Sequence, residues 1–389
     1  MGELNRVADV VIIGGGCMGV STACFLAQRG VSVVLVEKKY LASGPTGQSS
    51  AVIRQHYSIE QLVRTSLQSL KIFQNFDELI GGNPGFIKTG WLFLSDQEYA
   101  PTLEKLVNVQ KKLGVNVKLI SPDDLKNIQP QTNVEDISSI SYHPDSGYAN
   151  PVATTNLLAE SARRYGAHIY EDTAVTGIDV NRGKIQSVIT TKGDIHAPIV
   201  LNAAGAWGAK ISDMVGVELP IGPTRHQVII FKKPYNYWQP AMIYADIPQN
   251  SYYRPHEDDM FLVGAANEVF GHDKVDPQAY NSEADRETFQ WALDRFKYRF
   301  PVMKNALFRG GYSAVYDTTP DEQPIIGAVE EIEGFYCLLG WSGHGFKHSP
   351  AMGQLMAELI IDGSTSEVDL SIFSHSRFRK GCLNNAKEF

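Results

Sequence analysis

The sequence is poor in cysteine and has no excess of positive charge. Its 389 residues include four cysteines, at positions 17, 24, 337 and 382, with no CxxC pair and no partner histidine cluster. This spacing argues against a disulfide framework and a zinc site, and it favours reduced thiols in a cytoplasm. The formal net charge of -8 provides no basic surface to neutralise phosphates, which argues against a nucleic-acid partner. We therefore expect neither a metal site nor a nucleic-acid complex.

Long hydrophobic runs are also absent. The apolar stretches Val10–Ile13 and Val31–Val36 have the length of strands, whereas a helix needs roughly 20 apolar residues to cross a bilayer. The chain reaches its first strand at Asp9, which leaves no room for a signal peptide. We expect a cytoplasmic protein with no transmembrane segment. A chain of 389 residues also exceeds what one small core accommodates, so two lobes are expected.

A strand, a helix and a second strand follow one another near the N-terminus. Asp9–Ile13 is rich in β-formers, Gly16–Arg29 has a helical pattern closed by Gly30, and Val31–Glu37 is again strand-like. The short connections predict a right-handed βαβ unit within a parallel sheet.

This unit carries a GxGxxG motif, Gly14-Gly15-Gly16-Cys17-Met18-Gly19. Gly14 permits the tight turn, Gly16 lets a pyrophosphate approach the backbone, and Gly19 lets the helix meet the strand. The helix N-terminus supplies N–H groups for the phosphates, and Glu37 is positioned to bind the ribose hydroxyls. A lone GxGxxG is weak, but the strand, the helix and the acid are all in register here. The motif does not distinguish FAD from NAD.

Further along, the pattern predicts two interleaved lobes. We expect an α/β fold in which residues 1–80, 145–215 and 310–389 form a Rossmann-like cofactor lobe. Residues 81–144 and 216–309 should form an α+β substrate lobe on a mostly antiparallel sheet. Among single elements, a long helix is expected at Ile59–Ile80, a strand at Phe86–Leu94 and a helix capped by Ser121.

Three later segments resemble the D-amino-acid oxidase (DAO) superfamily. They are Val200–Trp207 (VLNAAGAW), Thr319–Gly327 (TPDEQPIIG) and Gly340–Lys347 (GWSGHGFK). They are most similar to the sarcosine oxidase and sarcosine/dimethylglycine dehydrogenase branch, and the resemblance runs along the whole chain in order. It implies FAD in a Rossmann-like lobe of the GR2 type, a separate substrate lobe and the oxidation of an amine.

The resemblance also assigns contacts to the FAD beyond the first motif. The small residues of Asn202–Trp207, which end a strand, let a flavin ring lie close to the backbone, although a tightly packed strand end explains them too. The turn that opens the last helix presents N–H groups to the flavin pyrimidine, although it is compatible with an ordinary glycine-rich helix entry. The predicted FAD contacts, besides the three glycines and Glu37, are Cys17, Met18, Lys38, Thr46, Ser49, Ser50, Val175, Ala204, Gly205, Trp207, Gly343, His344, Gly345, Phe346 and Lys347.

For the substrate, the resemblance implies that Arg54 and Lys347 clamp a carboxylate. A guanidinium fork and an ammonium suit that task. Tyr253 and Tyr316 match aromatic positions that line the substrate cavity, and His344 completes the predicted catalytic group. Without the resemblance, each of the two cations is more often a surface charge, and the tyrosines are equally compatible with core or interface residues.

Some positions depart from the family pattern. Ala314 occupies the position of the cysteine that binds flavin covalently in monomeric sarcosine oxidases, which predicts a non-covalent FAD. Tyr316 stands where glycine oxidases carry an arginine, and the stretch Gly147–Asn150 lacks the histidine that holds FMN in heterotetrameric sarcosine oxidases. Leu262 replaces the lysine of the oxidases, Ala266 replaces their nearby histidine, and no lysine or arginine occurs between residues 255 and 273. A dehydrogenase that uses oxygen poorly is therefore favoured over an oxidase.

The prediction is an FAD-dependent oxidation of a small secondary or N-methylated amino acid, like sarcosine, dimethylglycine or proline, to an imine, with hydride transfer to flavin N5. The partners implied are the amino acid, an electron acceptor (oxygen, a quinone or an electron-transfer protein) and further subunits of a homo- or hetero-oligomer. Two alternatives stay open. One is a flavin dehydrogenase of a 2-hydroxy acid or glycerol phosphate, and the other is a flavin subunit that relays electrons within a hetero-oligomer.

Overall fold

The computed structural model describes residues 4–266 and 273–384. Within these ranges the strands are β1 (Val10–Ile13), β2 (Val33–Val36), β3 (Val52–Ile53), β4 (Ile87–Lys88), β5 (Trp91–Ser95), β6 (Lys118–Ile120), β7 (Ser139–His143), β8 (Gly147–Tyr148), β9 (His168–Tyr170), β10 (Val175–Asn181), β11 (Lys184–Thr190), β12 (Gly193–His196), β13 (Ile199–Asn202), β14 (Gly222–Lys232), β15 (Ile243–Asp246), β16 (Ser251–His256), β17 (Met260–Ala265), β18 (Leu307–Thr318), β19 (Ile325–Ala328) and β20 (Phe335–Leu339).

The α-helices in the same ranges are α1 (Cys17–Gln28), α2 (Glu60–Gln74), α3 (Phe76–Leu79), α4 (Ala100–Lys112), α5 (Pro122–Ile128), α6 (Pro151–Arg164), α7 (Gly208–Asp213), α8 (Arg286–Arg299), α9 (Ser349–Asp362) and α10 (Ser376–Lys380). Short 3-10 turns occur at Gly205–Trp207, Pro301–Asn305, Phe346–His348 and Ser371–Phe373.

A six-stranded sheet forms the first lobe, in the order β19-β20-β13-β1-β2-β9. Its pairs are parallel except β19 with β20. Apolar clusters cover both faces, which explains why β1 and β2 are continuous apolar runs. The predicted βαβ unit of β1, α1 and β2 is confirmed.

An eight-stranded sheet forms the second lobe, in the order β18-β14-β17-β16-β15-β5-β7-β6. All its pairs are antiparallel except β5 with β15. One face packs against α8 through a core of phenylalanine and tyrosine side chains. The α/β fold with an interleaved α+β lobe is confirmed. The proposed lobe boundaries stay a prediction, and the one at residue 310 falls inside β18.

Two expected elements are interrupted. The helix expected at 59–80 ends at Gln74, because the Asn75 side chain donates to the carbonyl oxygen of Lys71 at 2.8 Å and competes with the helical hydrogen bonds. The strand expected at 86–94 is divided at Gly90, whose φ of 77° turns the chain from the small β3-β8-β4 sheet into the large one. The helix start at Ser121 is confirmed, with a complete capping box.

The composition also bears on membrane spans, metal ions and cysteine pairing. Along residues 4–266 and 273–384, no helix is both long enough and apolar enough to cross a bilayer. The same ranges contain no group of three or more His, Cys, Asp or Glu side chains that could hold a metal ion. All four cysteines are free, and only Cys382 is exposed.

Candidate active site

A cavity of about 400 Å³ is lined by residues of both large sheets. Its wall includes the β1–α1 turn, the end of β2, the segments 43–50 and 203–207, and residues of β14 and β18. Most predicted FAD contacts line it, namely Gly14, Gly16, Cys17, Met18, Glu37, Lys38, Thr46, Ser49, Ser50, Val175, Ala204, Gly205, Trp207, Gly343, Gly345 and Phe346. Gly19, His344 and Lys347 do not line the cavity.

The glycines of the β1–α1 turn are required by close backbone contacts. Gly14 has a φ of 115°, and a Cβ there would lie 2.5 Å from the carbonyl oxygen of Ala203. A Cβ on Gly19 would lie 2.0 Å from the carbonyl oxygen of Gly14. Gly19 therefore serves the packing of α1 on β1 and makes no direct contact with the cavity. Gly16 at the N-cap of α1 has no side chain that could cap the helix. In the first turn, the N–H of Cys17 donates to Thr46 Oγ1 at 3.2 Å, so an anion would approach the N–H groups that follow it.

An acid and an indole occupy one end of the cavity. Glu37 follows β2 and accepts hydrogen bonds from the backbone N–H groups of Gly15 at 2.8 Å and Lys39 at 2.9 Å. Lys38 Nζ lies 3.2 Å from the ring centroid of Trp207. Burial lowers the pKa of Lys38 to about 8. These contacts fix the carboxylate and the indole in place before any ligand binds.

The wall on the side of the large sheet is aromatic. The ring of Tyr316 stacks on His226 with centroids 3.6 Å apart. A Cβ on Gly343 would lie 2.2 Å from the Tyr316 ring, so the tyrosine packs directly on the glycine backbone. Burial raises the pKa of Tyr316 to about 12, so the phenol stays neutral. Ala314 lines the same wall.

The structure contradicts the expected position of Tyr253. Its fully buried ring packs against Phe296 and Phe300, and its hydroxyl donates to the carbonyl oxygen of Arg295 at 3.1 Å. Neighbouring side chains on β16 point to opposite faces, and it is Tyr252 that lines the cavity. The prediction for Tyr253 is therefore wrong by one residue, because two adjacent tyrosines do not reveal which face each occupies.

Arg54 and Lys347 lie together next to the cavity rather than in its wall. Their exposed fractions are 7% and 6%, and neither makes an ion pair with any residue that the structure describes. Both approach the ring of Tyr57, at 4.5 Å for Arg54 Cζ and 5.9 Å for Lys347 Nζ. The ring centroid of Trp91 lies 5.7 Å from Arg54 Cζ. The predicted pair is thus brought together within an aromatic cage.

Backbone carbonyls hold both cations. Arg54 donates to the carbonyl oxygen of His56, and Lys347 Nζ donates to that of His344 at 3.1 Å. Burial, and next the charge of Arg54, lower the pKa of Lys347 well below its usual value. His344 contacts the carbonyl oxygen of Glu322 at 3.1 Å through Nε2, and burial lowers its pKa to about 3. His344 and Lys347 therefore belong to the glycine-rich turn but are not part of the cavity lining.

Two residues near the site were missed in the sequence. Tyr57, 1% exposed, contacts both cations but follows Arg54 in a stretch without periodicity. Arg254, 3% exposed, pairs with Leu262 across β16 and β17, and its guanidinium lies 3.8 Å from the ring centroid of Tyr148. Residues 255–273 contain no lysine or arginine, but Arg254 on β16 lies beside Leu262 on β17. The strand pairing is what reveals that these two residues are neighbours.

Residues 9–359 match the family described as FAD dependent oxidoreductase, DAO. The chain belongs to this family. The mitochondrial sarcosine dehydrogenase of Mus musculus is 28% identical over 99% of this chain and 43% of its own length. The mitochondrial dimethylglycine dehydrogenase of Rattus norvegicus is 26% identical over 93% of this chain and 44% of its own length. The chain thus spans less than half the length of these two relatives.

A solved structure, the L-proline dehydrogenase from P. horikoshii, is similar over nearly the whole chain. It is 31% identical, with a TM-score of 0.91 over 98% of this chain and 100% of that one. The FAD of the DAO family fits the cavity described above. The start of α1 and the glycine turn suit a pyrophosphate, and the fixed carboxylate of Glu37 suits a ribose.

Proposed function

We propose that this chain oxidises a small secondary or N-methylated amino acid to an imine, which water then hydrolyses. The observation that carries the proposal is the pair of buried basic side chains, Arg54 and Lys347, which share the ring of Tyr57 and have no acidic partner in the described chain. Since a buried charge without a counter-ion is costly, such a pair is suited to a ligand that brings the negative charge.

A carboxylate suits this pair best. The guanidinium of Arg54 can donate two parallel hydrogen bonds to the two carboxylate oxygens, and Lys347 can supply a third donor. The aromatic rings of Tyr57 and Trp91 hold the guanidinium without neutralising it. The clamp would turn the carbon next to the substrate nitrogen towards the cavity, where orientation alone contributes much of the rate.

FAD, when bound, supplies the two-electron acceptor for this oxidation. The protein's residues orient the substrate and exclude water, and Tyr316 and His226 form the wall beside the clamp.

We further propose that the FAD is non-covalent, because Ala314, at the position of the family's linking cysteine, offers no nucleophile. Acid precipitation should leave the yellow flavin in the supernatant. Colour in the pellet would mean that another residue forms the bond.

The electron acceptor is proposed to be a quinone, a dye-like molecule or a protein rather than oxygen. Leu262 is apolar where the oxidases carry a lysine, and the three relatives described above are dehydrogenases by name. Arg254 beside Leu262 is the feature that weighs against this part of the proposal, because a cation stabilises developing superoxide. The substrate-reduced enzyme should reoxidise slowly in air-saturated buffer. Reoxidation as fast as turnover, with stoichiometric hydrogen peroxide, would identify an oxidase.

The substrate class is tested by anaerobic mixing of the FAD-loaded protein with sarcosine, dimethylglycine, proline, lactate and glycerol 3-phosphate. Bleaching of the flavin by the amino acids alone is the expected result. Bleaching by lactate or glycerol phosphate alone would favour the hydroxy-acid alternative. Reduction of the flavin only in the presence of added subunits would favour an electron-relaying subunit of a hetero-oligomer. Light scattering of the purified chain measures its oligomeric state separately.

A further inference from the structure

Within residues 4–266 and 273–384, the surroundings of Lys347 contain positive and neutral groups but no acid that it contacts. The 3-10 turn Phe346–His348 packs against α2, α9 and β3. The titratable groups in contact with this site are Arg54 after β3, Tyr57, and the histidines 344 and 348. His348 Nδ1 lies 2.9 Å from the hydroxyl of Thr65 on α2. None of these groups brings a negative charge to the lysine.

A second buried positive charge beside Arg54 is unfavourable, so the empty site favours one charge over two. An arginine side chain is always protonated in proteins, which leaves the lysine of this pair as the group that can lose a proton. Its hydrogen bond to the carbonyl oxygen of His344 is equally available to a neutral amine. A neutral amine that donates one N–H there retains a lone pair. The lowered pKa of Lys347 agrees with this description.

We propose that Lys347 is neutral in the free enzyme and takes the proton from the ammonium group of the incoming amino acid. This inference rests on the proposed function, because it requires the carboxylate clamp. One carbon separates the nitrogen of an α-amino acid from its carboxylate. A group that binds the carboxylate is therefore within reach of the ammonium, directly or through one water.

The step balances without any further reactant. An N–H bond of the substrate ammonium breaks, and its electron pair stays on the substrate nitrogen. The proton forms a new N–H bond with the lone pair of Lys347 Nζ. The products are a neutral amine, which is the form that can be oxidised, and a lysine ammonium that pairs with the substrate carboxylate beside Arg54. Lys347 thus gains its positive charge only when the bound carboxylate is there to neutralise it.

The test compares two ligands that differ only in the ammonium group, isobutyrate and 2-aminoisobutyrate. Neither has a hydrogen on a carbon attached to nitrogen, so neither can be oxidised to an imine. Calorimetric titration of the FAD-loaded enzyme at pH 8, in buffers of different ionisation enthalpy, counts the protons taken from solvent. Isobutyrate should take up about one proton per site, and 2-aminoisobutyrate, which brings its own, about none.

The pH dependence gives a second readout. Above the pKa of the free lysine, the Kd of isobutyrate should rise about tenfold per pH unit, because each binding event requires a proton. The Lys347→Arg variant keeps a permanent charge, so its binding of isobutyrate should take up no proton and should lose this pH dependence. Its FAD spectrum serves as the control for folding.

Equal proton uptake by the two ligands, whether none or one, would overturn the inference. Failure of isobutyrate to bind would overturn the clamp and the inference together. Failure of every amino acid to reduce the flavin, with the proton counts as expected, would overturn the proposed function alone. Flavin reduction therefore tests the proposed oxidation, and the proton count tests the charge state of Lys347 separately.

Discussion

Two buried regions of this molecule hold cations in opposite ways. In the substrate lobe, Arg299 is fully buried and makes two bonds to the fully buried carboxylate of Asp246, at 2.7 and 2.8 Å, and an ion pair with Asp136 at 2.9 Å. Beside the cavity, Arg54 and Lys347 are almost as buried, but among the described residues they contact carbonyl oxygens and aromatic rings and form no ion pair. The first region is complete without a ligand, whereas in the second no described acid balances the positive charge, which suits an anionic ligand.

Structural cations differ from binding cations in whether an acid pairs with them, and the degree of burial does not show this difference. Arg377 belongs to the first kind, because it is paired with Asp321 at 2.8 and 3.0 Å. A buried pair is destabilised strongly when one partner is removed, while an unpaired buried charge costs free energy as long as it is present. Substitutions in the two regions should therefore affect different measurements.

The largest effect is expected from Asp246→Asn. The substitution leaves Arg299 in the core without its main counter-charge, so the free energy of unfolding should fall by about 3–5 kcal/mol. Denaturant titration of the FAD-loaded protein measures it. Asp362→Asn is the matched control, because its partner Arg29 and Asp362 itself are 40% and 47% exposed, and such a pair contributes about 1 kcal/mol or less. Equal losses in the two variants would show that the burial of the pair does not matter.

Arg54→Met and Lys347→Met should produce the reverse pattern. Each removes a charge-assisted hydrogen bond to the substrate carboxylate, which weakens binding by about 2–4 kcal/mol, or roughly 30- to 1000-fold. Neither removes an ion pair with a residue of the described chain, so the free energy of unfolding should stay unchanged or rise. Substrate titrations and denaturant unfolding are compared on the same samples. If a variant loses stability as Asp246→Asn does but keeps its affinity, its cation is structural.

The sequence predicts local features of this molecule better than contacts between segments that are distant along the chain. The GxGxxG motif, the apolar runs of β1 and β2 and the resemblance over residues 200–207 were sufficient for the fold and for most of the cavity wall, since these features depend on local sequence. Whether a cation is paired depends on which strands and loops meet. Arg254 and Tyr57 escaped notice because their partners come from other parts of the fold.

The error at Tyr253 has a different origin. A strand exposes alternate residues, and the tyrosine pair at 252–253 fits the cavity in either phase. Only the pairing of Tyr252 with Gly264 and of Tyr253 with Val263, whose side chain belongs to the core packed on α8, decides the phase. A contact assigned by resemblance is therefore less secure where neighbouring residues are chemically alike.

Asp317 is a buried acid whose titration should make the free energy of unfolding depend on pH. It lines the cavity and accepts a hydrogen bond from the N–H of Gly340 at 2.7 Å, and burial raises its pKa to about 6. Because the folded protein takes up this proton before the unfolded chain does, wild type should gain stability relative to Asp317→Asn as the pH falls from 7 through 6 towards 4. The gain should reach about 2 kcal/mol. Parallel unfolding titrations at pH 7 and 5 check the direction, and a relative loss at pH 5 would mean that the carboxylate is stabilised by the fold.

The smallest effect is expected at Tyr57, the ring shared by the two unpaired cations. Tyr57→Leu removes a cation–π contact of about 1 kcal/mol, so KM for the amino acid should rise about fivefold while kcat at saturation changes little. Tyr57→Phe keeps the ring and should keep the wild-type KM, which separates the π face from the hydroxyl. A structural role would act differently, since it would lower stability and FAD retention in the leucine variant without raising KM selectively. The ratio of KM values in the two variants thus tests whether the aromatic cage, and not burial alone, holds Arg54 ready for a carboxylate.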